Sequence, residues 1–129
     1  MIVAGVGFRR SAAAEDIVAL VERALLEAGL KPARLSRLAT FAPLASEAAF
    51  QDAARRLAVP PVGVEGAAAR DAAPRVQTVS TRALAAHGVG SVAEAAALAA
   101  AGPEARLVLG RIVSRSATCA LAALPEIPA

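Results

Sequence analysis

The chain of 129 residues has no tryptophan or tyrosine and only three phenylalanines, Phe8, Phe41 and Phe50. Proteins that bind single-stranded nucleic acids stack the bases on aromatic side chains, so this scarcity argues against such a partner. The arginines supply nearly all of the positive charge, and they are scattered along the chain rather than clustered. We therefore expect no nucleic-acid partner.

Cysteine and histidine are equally scarce, since Cys119 and His87 are the only examples. A single cysteine excludes an internal disulfide and a cysteine-rich metal site, and it fits a reducing compartment. Cys119 falls in an apolar run, which favours a small buried side chain over a reactive thiol. For a lone histidine, a structural or solvated role is more usual than general-base catalysis. We expect neither a bound metal ion nor a cofactor.

Long uninterrupted apolar runs are also missing, although 57% of the residues are hydrophobic. Arginine, glutamate, glycine or proline interrupts every stretch that could otherwise span a membrane. No basic region precedes the first apolar run, so the pattern does not fit a signal peptide. We expect a cytoplasmic protein without a membrane partner, folded as a single domain over residues 1–129. The oligomeric state stays open.

The charge that is present comes from arginine, because Lys31 is the only lysine. The formal net charge is +3 and the sequence pI is about 10.4. The planar guanidinium group suits bidentate binding of carboxylate or phosphate. This composition favours an anionic ligand.

The stretch from Gly5 to Ser11 is where such an anion is expected to bind. An apolar strand runs into Gly5 and Gly7, then Arg9 and Arg10, and Ser11 is expected to cap the helix that follows. Backbone N–H groups at a helix start attract anions. The two glycines also resemble the start of a dinucleotide-binding motif. However, Arg10 occupies the place of its third glycine, which argues against nucleotide binding.

The alternation of apolar patterns predicts an α/β fold: one three-layer domain, with a mainly parallel sheet, helices packed on it and a C-terminal antiparallel hairpin. The predicted strands are residues 1–7, 35–40, 60–64, 105–114 and 117–124. The predicted helices are residues 11–28, 46–57, 81–87 and 91–100, with serines 11, 46, 80 and 91 as their caps. Residues 41–44 are predicted to be a loop, and residues 66–74 are ambiguous, with room for one helical turn.

Two glutamates, Glu47 and Glu94, fall in the first turns of predicted helices. Dipole complementarity explains both without a functional role. Ser91 and Glu94 also match a capping box, in which each side chain satisfies the other's backbone N–H group.

Four motifs together resemble one family, the cobalamin biosynthesis proteins CobE and the C-terminal domain of CbiG. The motifs occur in the family's order and cover essentially the whole chain. They are Gly5–Arg10, Leu38–Thr40 followed by Glu47, Gly88–Leu98, and the closing pair Leu107–Arg111 and Ala117–Leu121.

The resemblance implies a protein of the aerobic corrin pathway that binds or hands on a polycarboxylate corrin or precorrin intermediate. Two alternatives stay open. One is hydrolysis of a precorrin ring lactone, as implied for CbiG, with Glu47 as the weak acid–base candidate. The other is a scaffold for other cobalamin-pathway enzymes. The residues expected at the binding site are Gly5, Gly7, Arg9, Arg10, Ser11, Thr40, Glu47, Gly88, Ser91, Glu94 and Arg111.

Three positions depart from the family pattern. Leu44 stands where the family usually has a lysine, so a role for that lysine does not carry over. Arg111 replaces another lysine and keeps its charge. Phe8 replaces a cysteine that often precedes the arginines, which excludes a thiol mechanism at this position.

Overall fold

Five strands form one mixed sheet in the computed structural model, which describes residues 1–125. The strands are Ile2–Phe8 (β1), Leu35–Phe41 (β2), Pro61–Val64 (β3), Arg106–Val113 (β4) and Ala117–Ala123 (β5). Their order in the sheet is β3-β2-β1-β5-β4. The first three strands are parallel, whereas β5 is antiparallel to both β1 and β4. The predicted parallel sheet with a closing antiparallel hairpin is confirmed.

Helices cover both faces of this sheet and complete the three layers. They are Ala14–Glu27 (α1), Ala42–Ala45 (α2), Ala48–Leu57 (α3), Gly66–Ala72 (α4), Thr81–His87 (α5) and Val92–Ala101 (α6). Helices α1 and α3 share one apolar core with the sheet, and α4 and α6 share the other. Central strands buried on both faces need continuous apolar runs, and Ile2 to Val6 is such a run.

Two of the four predicted serine caps are wrong. Helix α1 begins after Ala13, because Ser11 lies in a turn in which the N–H of Ala12 donates to the carbonyl of Arg9. The N-cap residue Ala13 has no side-chain acceptor, but its own N–H donates to the carboxylate of Asp16 at 2.9 Å.

Helix α3 begins after Glu47, since Ser46 ends the short helix α2 instead. Residues 42–44, predicted to be a loop, belong to that helix, and Pro43 is tolerated in its first turn. The ambiguous stretch that starts at Gly66 forms α4 and a short 3₁₀ turn.

No single helix in residues 1–125 is both long and apolar enough to cross a membrane. Only α5 and α6 taken together, with a bend of 58° between them, reach that length and composition.

Helix α6 lies directly on β1, and Gly5 makes this close approach possible. A Cβ atom at Gly5 would lie 2.1 Å from the carbonyl oxygen of Ala93 and 2.5 Å from the backbone nitrogen of Ala97. Because real Cβ atoms are never this close to backbone atoms, the glycine sets the distance between helix and strand. Gly5 therefore serves the packing of the core.

We expect Gly5→Ala to lower the free energy of unfolding by roughly 3 kcal/mol, because the added methyl group must push α6 away from the sheet. Gly66→Ala is the matched control. Its new methyl group would meet only the flexible end of Arg70, and alanine favours the helix. Urea unfolding of the two variants measures the difference. Equal stabilities would contradict the proposed contact.

Candidate functional site

A pocket of about 530 Å³ opens beyond the carboxyl end of β1. Three parts of the chain form its wall. They are the end of β1 at residues 7–9, helix α5 with its cap Ser80, and the hairpin between β4 and β5 at residues 113–118. Val92 and Arg111 complete the lining. Pockets at the carboxyl ends of parallel strands are frequent ligand sites in α/β sheets.

The charged groups that line this pocket are arginines, with no acidic residue among them. Arg9, Arg82, Arg111 and Arg115 line it, and no aspartate or glutamate does. Among residues 1–125, no carboxylate forms an ion pair with any of these four guanidinium groups. Between the arginines lie apolar side chains, among them Phe8, Ala83, Ala86, Val92 and Val113. The pocket thus combines guanidinium groups that have no acidic partner among residues 1–125 with apolar lining residues. This combination suits a ligand that is both anionic and apolar.

Arg111 reaches the pocket from an irregular part of β4. The chain advances three residues from Leu109 to Ile112 while β5 moves only from Leu121 to Cys119. One extra residue on β4 makes this a β-bulge, which redirects the side chains beside it. Arg111 lies in the bulge, and its N–H donates to the carboxylate of Glu94 at 2.8 Å.

The carboxylate of Glu94 is buried and accepts four hydrogen bonds. Besides Arg111, the backbone N–H groups of Gln77 and Thr78 donate to it at 2.7 and 2.9 Å, and the Thr78 hydroxyl donates at 2.6 Å. The Ser91 hydroxyl does accept the N–H of Glu94, as the capping box predicts. The reciprocal half of that box is wrong, because the Glu94 side chain bonds to other segments of the chain instead.

These contacts set the protonation of Glu94. Burial by itself raises the pKa of the carboxyl group, but the hydrogen bonds from Thr78, Arg111 and Gln77 stabilise the anion. Their combined effect is larger, so the pKa of Glu94 lies below its ordinary value of 4.5. Glu94 is therefore a buried anion at neutral pH.

Two aromatic contacts flank the pocket. The ring of Phe8 stacks on Phe50, with the centroids 6.2 Å apart and the planes nearly parallel at 4°. His87, which lines the pocket, meets the ring of Phe41 edge-on at 5.4 Å. His87 precedes Gly88, whose φ of +73° ends α5 as predicted.

The structure brings only part of the predicted site together. Gly7, Arg9 and Arg111 line the pocket. Arg10 does not line it and pairs at 3.4 Å with Glu47, although its side chain is 88% exposed. Gly88 and Ser11 also lie outside the lining, in exposed turns.

Four predicted residues lie inside the protein, and one of them is Glu94, described above. Gly5 is covered by α6, and Ser91 is buried at the start of that helix. Thr40 is buried too, and its hydroxyl donates to the carbonyl of Val6 at 2.8 Å. The short polar side chain thereby ties β2 to β1.

Sequence reasoning missed Arg82 and Arg115, which belong to the pocket. Arg115 falls between the predicted strands 105–114 and 117–124, but no motif indicates that this turn lies beside Arg9. The pairing of β1 with β5 brings the two together, since the N–H of Arg9 donates to the carbonyl of Ser116 at 2.9 Å. Pairing β1 with an antiparallel C-terminal strand would have indicated that Arg115 lies beside Arg9.

The described residues provide no metal-binding cluster, and Cys119 does not line the pocket. Within the described residues, no group of three or more histidine, cysteine, aspartate or glutamate side chains is arranged to hold a metal ion. Cys119 is buried in β5, and burial raises the pKa of its thiol to about 12.

Comparison with known proteins gives consistent results. Residues 2–122 match the family described as cobalamin synthesis G C-terminus. A curated relative, Protein CobE from Sinorhizobium sp., is 41% identical over 121 residues, which are 94% of this chain and 79% of the relative.

Two solved structures are also similar. The crystal structure of CobE, a protein from the cobalamin (vitamin B12) biosynthetic pathway, superposes with a TM-score of 0.90 at 37% identity, covering 97% of this chain and 91% of CobE. The cobalamin biosynthesis protein chiG from Agrobacterium tumefaciens str. C58 has a TM-score of 0.78 at 37% identity, covering 98% and 100% of the two chains.

We expect Glu94 to make stability depend on acid pH. Because its folded-state pKa is lowered, its contribution is present in full above about pH 4.5 and is lost as the pH falls through the folded value. Glu94→Gln should remove roughly 2 kcal/mol at pH 7 and flatten the dependence between pH 5 and pH 3. Urea unfolding across this range measures it, with Glu22→Gln on the exposed face of α1 as the control. An unchanged pH profile in Glu94→Gln would contradict the buried anion.

We expect Cys119 to be inert in the folded protein, since its thiol is buried and has a pKa of about 12. Ellman's reagent at pH 8 should give no reaction with native protein and one thiol per chain in urea. Rapid labelling of the native protein would show that β5 is more accessible than its burial indicates.

Proposed function

Since the chain belongs to the cobalamin synthesis G C-terminus family and is a protein of cobalamin biosynthesis, we propose that it binds a corrin or precorrin intermediate in the pocket beside β1 and hands it on. One observation supports this most strongly. Four arginines line the pocket, none has a carboxylate partner among the described residues, and no acidic residue lines it. Positive side chains concentrated in one pocket attract a polyanionic ligand, and binding of that ligand would neutralise their charge.

The chemistry of these intermediates matches the lining. Acetate and propionate groups surround a flat apolar ring, so the ligand is anionic at its rim and apolar on its faces. We expect Arg9 and Arg111 to bind rim carboxylates. Gly7 serves the packing of this wall, because a Cβ atom there would lie only 2.9 Å from Oγ1 of Thr118. Phe8, Val92 and the alanines of α5 offer an apolar surface to the ring.

The size of the pocket favours partial enclosure. A volume of about 530 Å³ is typical for a ligand of drug size. A corrin ring with all its carboxylate chains is larger, so one edge would enter and the other would stay outside. An exposed edge lets a following enzyme of the pathway engage the ligand before it leaves, which fits a role in handing on the intermediate.

Binding is better supported than catalysis. The alternative of lactone hydrolysis needs an acid–base group near the ligand, but Glu47 pairs with Arg10 and does not line the pocket. The scaffold alternative is compatible with ligand binding and adds a partner enzyme to it. Turnover of a lactone-bearing precorrin by the purified chain would favour hydrolysis.

We expect hydrogenobyrinic acid to bind to the purified protein, with Arg9→Ala and Arg111→Ala each weakening the affinity about tenfold, the usual size for a lost charged hydrogen bond. Both changes keep the backbone N–H groups that the fold uses. Arg37→Ala, an exposed arginine on β2 outside the pocket, is the matched control for charge. Absorbance titration of the corrin measures all three.

Rising salt should weaken the binding of the wild-type protein, since the contacts are ionic. Two results would contradict the proposal. One is the absence of any retained corrin colour on the wild-type protein. The other is an equal loss of affinity in Arg37→Ala and Arg9→Ala, which would mean that only net charge matters.

A further inference from the structure

Glu94 does not line the pocket, yet its carboxylate is hydrogen-bonded to two segments of the chain that continue into the pocket wall. One is the stretch Gln77–Thr78, which leads into Ser80 and α5. The other is the bulge of β4 at Arg111. Both Arg82 on α5 and Arg111 on the bulge therefore have positions that depend on one buried anion.

Helix α5 has few other attachments. None of its residues is buried, and Leu84 is 49% exposed. The chain leading into α5 is held by the two N–H bonds to Glu94, by the Thr78 hydroxyl, and by the N–H of Ser80, which donates to the carbonyl of Gly90 at 2.8 Å. Since a short exposed helix is only marginally stable alone, these bonds determine where Arg82 lies.

The bulge at Arg111 depends on Glu94 in a similar way. An extra residue in a bulge leaves a backbone group without its strand partner. Here the N–H of Arg111 donates to the Glu94 carboxylate instead. The bulge, and with it the direction of the Arg111 side chain, is stabilised by the same carboxylate.

We propose that Glu94 is a positioning residue for ligand binding: without touching the ligand, its carboxylate sets Arg82 and Arg111 in the arrangement that binds the carboxylates of the corrin rim. The proposal rests on the proposed function. It assigns to Glu94 an effect on affinity that passes through two particular arginines and leaves Arg9 unaffected. Arg9 is held independently, by its N–H bond to Ser116.

Thr78→Val and Thr78→Ser form the decisive pair. Thr78 does not line the pocket, and valine has nearly the shape of threonine but no hydroxyl to donate to Glu94. Serine keeps the hydroxyl. These changes are milder than Glu94→Gln, so they test the proposal even where Glu94→Gln does not fold.

The experiment measures the affinity for hydrogenobyrinic acid in double-mutant cycles. We expect Thr78→Val to weaken binding on the order of tenfold, as the loss of a supporting contact behind a binding group commonly does, and Thr78→Ser to restore it. Combined with Arg82→Ala or Arg111→Ala, Thr78→Val should have at least about threefold less effect than alone. Combined with Arg9→Ala, its effect should be unchanged.

Two outcomes overturn the positioning role while wild-type binding stands. Thr78→Val, folded, could bind with wild-type affinity. Alternatively, its effect could be the same in all three arginine backgrounds, as a general loss of stability would produce. A wild-type protein that binds no corrin would instead overturn the proposed function, and the positioning role with it.

Discussion

The structure depends on the close contact between α6 and β1. Gly5 leaves no side chain between the strand and the backbone of Ala93 and Ala97, so the helix lies close against the strand. Glu94, in the first turn of this helix, is buried as a result. A buried carboxylate requires donors, and segments from before α5 and from β4 supply them. The packing of α6 on Gly5 thus buries Glu94, and the hydrogen bonds of Glu94 hold the segment before α5 and the bulge of β4.

The way in which the Glu94 anion is stabilised leaves the positive charge of the pocket unchanged. Its donors are backbone N–H groups and a hydroxyl, whereas the guanidinium group of neighbouring Arg111 is not used. An ion pair between the two side chains would have cancelled one of the four cations. Acidic residues elsewhere on the surface pair with other arginines, as Glu47 does with Arg10. In the described part of the chain, the negative charge of Glu47 is therefore matched by Arg10, whereas the positive charges that line the pocket have no acidic partner.

The sequence was sufficient for the sheet and most helices, because apolar periodicity and glycine or proline boundaries are local signals. The motifs also indicated Arg9 and Arg111 as candidate site residues, and both line the pocket. Arg82 and Arg115 could not be found in this way, since their place in the pocket depends on the pairing of β1 with β5 and on the position of α5. Local reasoning also misjudged Glu94. A glutamate at the third position of a helix usually accepts the N–H of its own cap residue. The carboxylate of Glu94 instead accepts the N–H groups of Gln77 and Thr78.

Helix α6 has a further property that follows from its composition. Five of its seven buried residues are alanines. Alanine has no rotamers to lose, so burial of this face costs little side-chain conformational entropy, and alanine also has the highest intrinsic helix propensity. The same methyl groups interlock weakly with their neighbours, because each presents little surface. The helix is thus easy to order, but Leu98 is its only large apolar side chain that is fully buried. The register of the helix on the sheet therefore depends also on backbone shape and on the hydrogen bonds of Glu94.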